Sequence, residues 1–176
     1  MNNMSALASA HQGTAHMVEI VEAQFPEQVA TVRAIFRDYA DSLGIDLGFQ
    51  DFETELAQLP GKFAAPRGRV LLAWQDAQAV GCVAMRPLDD TVCEMKRLYL
   101  RPEGRGQQLG RALATRICRL AKDAGYTRIR LDTLPTMTAA MQLYASLGFE
   151  PIPAYVFNPI EGTKFLELDL DRFEPA

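Results

Sequence analysis

Histidine is nearly absent from this chain. The only two, His11 and His16, stand in the N-terminal tail, which disfavours chemistry that needs a core imidazole as base or metal ligand. Cysteine is scarce as well. Cys82, Cys93 and Cys118 are odd in number, widely spaced and free of any Cys-x-x-Cys pattern. That argues against a disulfide framework or a structural zinc site, and it suits reduced, mostly buried thiols in a cytoplasmic protein. No apolar run approaches the ~20 residues a membrane span needs. Positive charge is not in excess either. The formal net charge is −4, so no general affinity for nucleic acid is implied. Residues 1–16 lack a basic segment followed by an apolar stretch and read as a disordered extension, not a signal peptide. What remains is ordinary: 176 residues, 48% hydrophobic and 23% charged, enough for one domain with one sizeable core.

Periodicity then gives the elements. Met17–Val21 alternates as a strand. Pro26 opens a helical stretch carrying Val29, Val32, Ile35, Phe36 and Tyr39, which ends near Gly44. A shorter helix covers Phe49–Gln58 and stops before Pro60-Gly61. Two strands, Val70–Trp74 and Ala79–Arg86, flank the turn Gln75-Asp76-Ala77-Gln78 and form an antiparallel hairpin. A fourth strand runs over Cys93–Arg101, and a long amphipathic helix ends at Gly125. A strand Arg128–Thr133, a helix from Thr136 to Leu147 and a last strand Lys164–Leu170 complete the chain. The β-α-β unit at 93–133 demands a parallel pair, whereas the hairpins demand antiparallel ones. The expected fold is therefore α/β: a mixed, mostly antiparallel twisted sheet with helices on both faces, over residues 17–171.

The chemistry begins at a glycine-rich turn. Arg101-Pro-Glu-Gly-Arg-Gly-Gln-Gln-Leu-Gly-Arg111 joins a strand to a helix N-terminus. Glycines allow tight turns and close approach of a ligand. Unpaired N–H groups and the helix dipole attract an anion there, and Arg105 and Arg111 add positive charge. Phosphate or pyrophosphate follows from the physics, against the plainer reading of a solvated connection. A P-loop would need Gly-Lys-Ser/Thr where Gly110-Arg111-Ala112 stands. A dinucleotide site is a closer rival, since Gly104, Gly106 and Gly110 lie one residue off that fingerprint and Asp132 stands about where a ribose-binding acid would. However, a hairpin precedes the turn, and only 66 residues follow Gly110.

Arg105-Gly106-Gln107-Gln108-Leu109-Gly110 resembles the pyrophosphate loop Q/R-x-x-G-x-G/A of the GNAT N-acetyltransferase superfamily. Ala140-Met-Gln-Leu143-Tyr144-Ala-Ser-Leu147-Gly148-Phe149 resembles that family's A-x-x-L-Y-x-x-L-G-F. The two motifs lie 34 residues apart, Gly110 to Tyr144, and the element order agrees over nearly the whole chain. Gln108 replaces the first pattern glycine, and Met137 stands where many members carry asparagine.

The resemblance implies acetyl-CoA as co-substrate, no metal, and direct attack by an amine in a ternary complex. Strands four and five would splay to admit pantetheine, paired with the backbone of Leu98 and Leu100. An amide near Leu98 could polarise the thioester carbonyl. Arg105, Gly106, Gln107, Gln108, Leu109, Gly110 and Arg111 would hold the pyrophosphate. Tyr144 matches the acid that protonates the leaving thiolate. Glu94 matches the strand-four base, with Asp132 in reserve. Plainer readings stand beside these: a core tyrosine, and a solvated carboxylate paired with Lys96 or Arg97. A nucleophilic Cys93 lacks a histidine to activate it. The acceptor, a small amine or a peptide, would meet Leu43, Ile45, Asp46, Tyr155, Phe157 and Asn158. The alternatives are a catalytically silent CoA-binding module and a dinucleotide-binding domain. No nucleic-acid or membrane partner is expected, and the assembly is a monomer or a homodimer.

Overall fold

The computed structural model describes residues 17–175; the extension expected over residues 1–16 lies outside them. Seven strands form one sheet in the order β1-β2-β3-β4-β5-β7-β6. They are β1 (Val18–Glu22), β2 (Arg69–Gln75), β3 (Gln78–Pro87), β4 (Val92–Leu100), β5 (Arg128–Thr133), β6 (Glu150–Pro151) and β7 (Lys164–Asp169). The β4–β5 pair is parallel and every other neighbour antiparallel. This mixed topology is the one anticipated. A doubly wound dinucleotide fold would need a run of parallel strands instead.

Helices cover both faces. On one lie α1 (Val29–Leu43) and α2 (Phe52–Ala57); on the other, α3 (Leu109–Asp123) and α4 (Thr138–Leu147). Val32, Ile35 and Phe36 give α1 its buried stripe over Val70, Leu72, Cys82 and Ala84. Leu109, Leu113, Ala114, Ile117, Cys118 and Ala121 give α3 a longer one, over Leu71, Val83, Met85 and Ile129. Each large apolar side chain so buried contributes ~1.5–3 kcal/mol. Left-handed Gly44 and Gly148 end α1 and α4.

Most boundaries fall within two residues of expectation, and the larger differences are these. Helix α1 begins at Val29, not Pro26, because residues 25–28 close a turn in which Gln28 N donates to Gln24 O at 2.8 Å. The segment read as one helix from Phe49 divides into a 3₁₀ turn, Gly48–Gln50, and α2, with left-handed Asp51 breaking the helix between them. Strand β6 was not anticipated, since two residues carry no period.

Strand β4 positions the site. It pairs with β5 only from Val92–Arg128 to Glu94–Arg130, although β4 continues to Leu100 and β5 to Thr133. Beyond Glu94 the two strands part. On its other edge β4 meets β3 through a bulge. Cys82 faces Tyr99 and Ala84 faces Lys96, so Val83 opposes both Arg97 and Leu98. Arg97 takes φ +61° to make this possible.

Candidate active site at the parting of two strands

The bulge decides which side chains face where. Cys93, Met95, Leu98 and Leu100 pack toward α3 and α4. Without the extra residue, Arg97 would point into that apolar layer. Instead its guanidinium forks onto Glu55 of α2, with Nη2 at 2.9 Å from Oε2, and Nη1 donates to Gln50 Oε1 at 2.9 Å.

Backbone alternation turns the amides of β4 as well. Arg101 N donates to Val80 O of β3 at 2.8 Å. Residues 99 and 101 thus address β3, which leaves Leu98 and Leu100 addressing the gap where β5 has departed. A cleft of about 520 Å³ opens there, lined by Leu98, Leu100, Arg105, Gly110, Met137, Ala140 and Leu143 among others.

The glycine-rich turn forms the cleft's outer rim. Gly104 lies so close to β3 that a Cβ would stand 2.9 Å from Val80 O, which explains glycine at that position. Gly106 takes φ +79° and Gln108 φ +56°. Gln108 thus holds the left-handed conformation that a glycine would adopt without strain. The amides of Gly106 through Arg111 donate to no other described residue. Six N–H groups at the start of a 15-residue helix are left for an anion. Arg105 is exposed and rests its Nε on Leu100 O at 3.3 Å. Gln107 bonds back to Gln75 Oε1 at 3.2 Å, and Arg111 to Ser146 Oγ at 2.7 Å. Leu109 is buried in the core and contributes its backbone alone.

Two small cavities adjoin the cleft. One, about 30 Å³, is walled by Met95, Lys96, Leu98, Leu131, Asp132, Thr133, Met137 and Tyr144 among others. The other, about 20 Å³, is walled by Tyr39, Leu43, Ile45, Leu47, Asp132, Thr133, Met137 and Asn158 among others. Tyr144 is 5% exposed, packs its ring 5.5 Å from that of Phe149, and its hydroxyl makes no hydrogen bond to another described residue. Burial pushes its phenol above the ordinary value, so the proton stays on oxygen.

The carboxylates lie in an ion network. Glu94 is fully buried. It accepts from Tyr155 Oη at 2.7 Å and Arg86 Nε at 3.0 Å, with Lys96 Nζ at 3.7 Å. Lys96 also stands 3.8 Å from Asp132 Oδ1, whose Oδ2 accepts from Asn158 Nδ2 at 2.9 Å. Burial lowers the Lys96 pKa, opposed by Glu94 and Asp132. Glu94 reaches neither small cavity; Asp132 lines both and Lys96 the first. Burial pushes the Cys93 thiol up to about 12, too weakly ionised at neutral pH for a nucleophile. Of the acceptor candidates, Leu43, Ile45 and Asn158 line the second cavity. Tyr155 lies behind Glu94. Asp46 instead accepts from Gly48 N at 2.8 Å in its own loop, and Phe157 is 76% exposed, outside either cavity.

Residues 29–149 match the Acetyltransferase (GNAT) family. The chain belongs to that family. Among GNAT relatives, an uncharacterised N-acetyltransferase of Schizosaccharomyces pombe is 36% identical over 157 residues, covering 88% of this chain and 96% of its own. An acetyltransferase structure from Streptococcus agalactiae superposes with TM-score 0.71 at 22% identity, over 86% of this chain and 98% of its own. The PaiA N-acetyltransferase of Thermoplasma acidophilum, solved with coenzyme A, gives 0.67 at 18% identity, over 87% and 99%. The sequence reading had not singled out Arg86, Gln50, Glu55 or Thr133. One signal was present: the consecutive charges Lys96-Arg97 break the strand's alternation, the mark of a bulge.

Proposed function

We propose that this protein transfers an acetyl group from acetyl-CoA to a primary amine by direct attack in a ternary complex. The observation that carries the reading is the run of six unengaged amides, Gly106 to Arg111, at the mouth of a cleft edged by Leu98 and Leu100. The amides and Arg105 suit the pyrophosphate; the β4 edge suits the amides of pantetheine, which would add to it as a strand does.

In the reaction, the neutral amine nitrogen attacks the thioester carbonyl carbon, and a Leu98 amide stabilises the oxygen. The new N–C bond forms, the C–S bond breaks, and the electron pair leaves on sulfur. Tyr144 gives the thiolate its proton and recovers one from solvent. The proton lost by the amine goes to a carboxylate. Glu94 is the strand-four candidate, reached through Tyr155 or Lys96. A second reading of this step rests on the cavity walls. Asp132 lines both small cavities and Glu94 neither, so Asp132 can take the proton first, with Lys96 coupling the two acids. The acceptor's body sits among Leu43, Ile45 and Asn158, under the loop that carries Tyr155 and Phe157.

Thiol release from acetyl-CoA across a panel of amines tests this. We expect turnover with at least one amine, and a larger loss for Asp132→Asn than for Glu94→Gln if Asp132 acts first. Tight CoA binding without turnover of any amine would leave a silent binding module. Stabilisation by NAD(P) but not by acetyl-CoA would overturn the reading altogether.

A further inference from the structure

Met137 is the one described residue that lines the cofactor cleft and both small cavities. It is also where the chain departs from the asparagine of the family pattern. Its side chain is held in place. Thr133 Oγ1 donates to its sulfur at 3.8 Å, and Thr133 is itself buried on the wall of both cavities. Its backbone is fixed at the start of α4, with N donating to Leu134 O and O accepting from Met141 N, each at 3.0 Å. The thioether therefore stands as a partition between about 520 Å³ of cleft and cavities of about 30 and 20 Å³. A water-sized group needs ~10–15 Å³ by this measure, so the larger cavity has room for roughly two such groups.

We propose that Met137 determines acyl-donor specificity: its side chain closes the inner end of the cleft so that a two-carbon acyl group fits and a four-carbon one does not. This rests on the reading that the cleft takes an acyl-CoA. The acyl tail must leave the thioester, set between Leu98 and Tyr144, toward the 30 Å³ cavity whose walls include both of them and Met137. Two more methylenes would meet the thioether. Shortening that side chain joins the three spaces into one. A single misfit methylene costs roughly 10–200-fold in a shaped pocket, so the discrimination is measurable by binding alone.

The test is calorimetric titration of the whole protein with CoA, acetyl-CoA and butyryl-CoA, each affinity taken relative to CoA for the same variant. Wild type is expected to bind butyryl-CoA at least about tenfold more weakly than acetyl-CoA. Met137→Ala should bring the two within about threefold, and Met137→Leu, which keeps the bulk, should preserve the gap. Met137→Val replaces the alanine variant if that one does not fold. Equal binding of both acyl-CoAs by wild type, or an unchanged gap in the shortened variant, overturns the proposal while leaving the cofactor reading intact. Failure of CoA itself to bind wild type overturns both.

Discussion

The two sides of the parted strands are built on opposite principles. The proposed cofactor side is backbone: amides of Gly106 to Arg111 and the β4 edge at Leu98 and Leu100, with apolar walls and no partner for the donors among the described residues. The far side is side chain. Glu94, Arg86, Lys96, Asp132, Arg97 and Glu55 lie in one network, where each ion has an opposite charge within 4 Å. Backbone donors impose a general demand, an anion and an extended polar chain, which many acyl-CoA-binding proteins can share. Interlocked side chains impose a particular one. On the proposed function, the cofactor follows from the architecture, and the acceptor from how the network is arranged.

The sharpest way to break that contrast is at the proposed acid, Tyr144, which walls the 30 Å³ cavity together with Leu98 and Asp132. Tyr144→Phe should lower kcat by roughly 10²–10⁴-fold, the range for a positioned acid. It should leave the melting temperature nearly unchanged, since the hydroxyl bonds to no described residue. The pH profile carries a sign. Burial raises the phenol pKa above its ordinary ~10, so the acid form persists as pH rises. Wild-type kcat should show no descending limb below about pH 10 from this group. A limb near pH 8 that vanishes in the phenylalanine variant would mean that the phenol ionises despite its burial, and an unchanged kcat in that variant would remove Tyr144 from the acid role.

On the ionic side the larger effect is on stability. Glu94→Gln removes the charge that faces Arg86 and Lys96 in a fully buried position. Breaking a buried pair costs ~3–5 kcal/mol. Arg86 keeps Glu55 at 3.8 Å, so we expect a loss near the lower end, ~3 kcal/mol by urea unfolding. Tyr155→Phe removes one hydrogen bond to that carboxylate and keeps the ring contact with Phe165 at 5.6 Å. It should cost less, ~1.5 kcal/mol. If both variants are neutral, the network is not what orders this half of the cleft.

The same contrast explains what the sequence made legible. Strands β2 to β5 and helices α1, α3 and α4 were readable because period and terminating glycines are local. The glycine-rich turn was readable for that reason too: strand, glycines, arginines and helix start lie within eleven consecutive residues, Arg101 to Arg111. The network was not. Its bonds join residues far apart in sequence, 61 between Glu94 and Tyr155 and 42 between Glu55 and Arg97. They form only after α2 docks, the bulge turns Arg97 over and the β6–β7 loop closes on Glu94. Asp46 shows the converse. Its sequence position in an apolar loop suggested an acceptor contact, yet a short polar side chain readily bonds its own backbone two residues on, and Gly48 N satisfies it.

Among cofactor-side residues, Arg105 should matter more than Arg111, because Arg111 is already tied to Ser146 and Arg105 holds only Leu100 O at 3.3 Å. Arg105→Ala is expected to weaken CoA binding about tenfold at low salt, near the ~1.5 kcal/mol of a charge-assisted hydrogen bond. The deficit should shrink as salt screens an exposed pair. An equal or larger effect from Arg111→Ala would show that the helix side chain, not the turn, carries the charge.

The smallest expected effect bears on why backbone donors tolerate a changed side chain. Gln108 sits at φ +56°, ψ +22°, where a residue with a Cβ is strained by roughly 1–2 kcal/mol. Glycine would relieve that strain but would cost ~0.5–1 kcal/mol through the freedom it adds to the unfolded chain. Gln108→Gly should therefore stabilise the protein by about 0.5 kcal/mol, read as a shift of the urea midpoint at constant slope. A loss of stability instead would mean that the glutamine side chain helps hold the turn. The amides of Gly106 to Arg111 would then be ordered partly by a side chain, and the distinction between a backbone side and a side-chain side of the cleft would weaken at the very residue where the chain departs from its family's glycine.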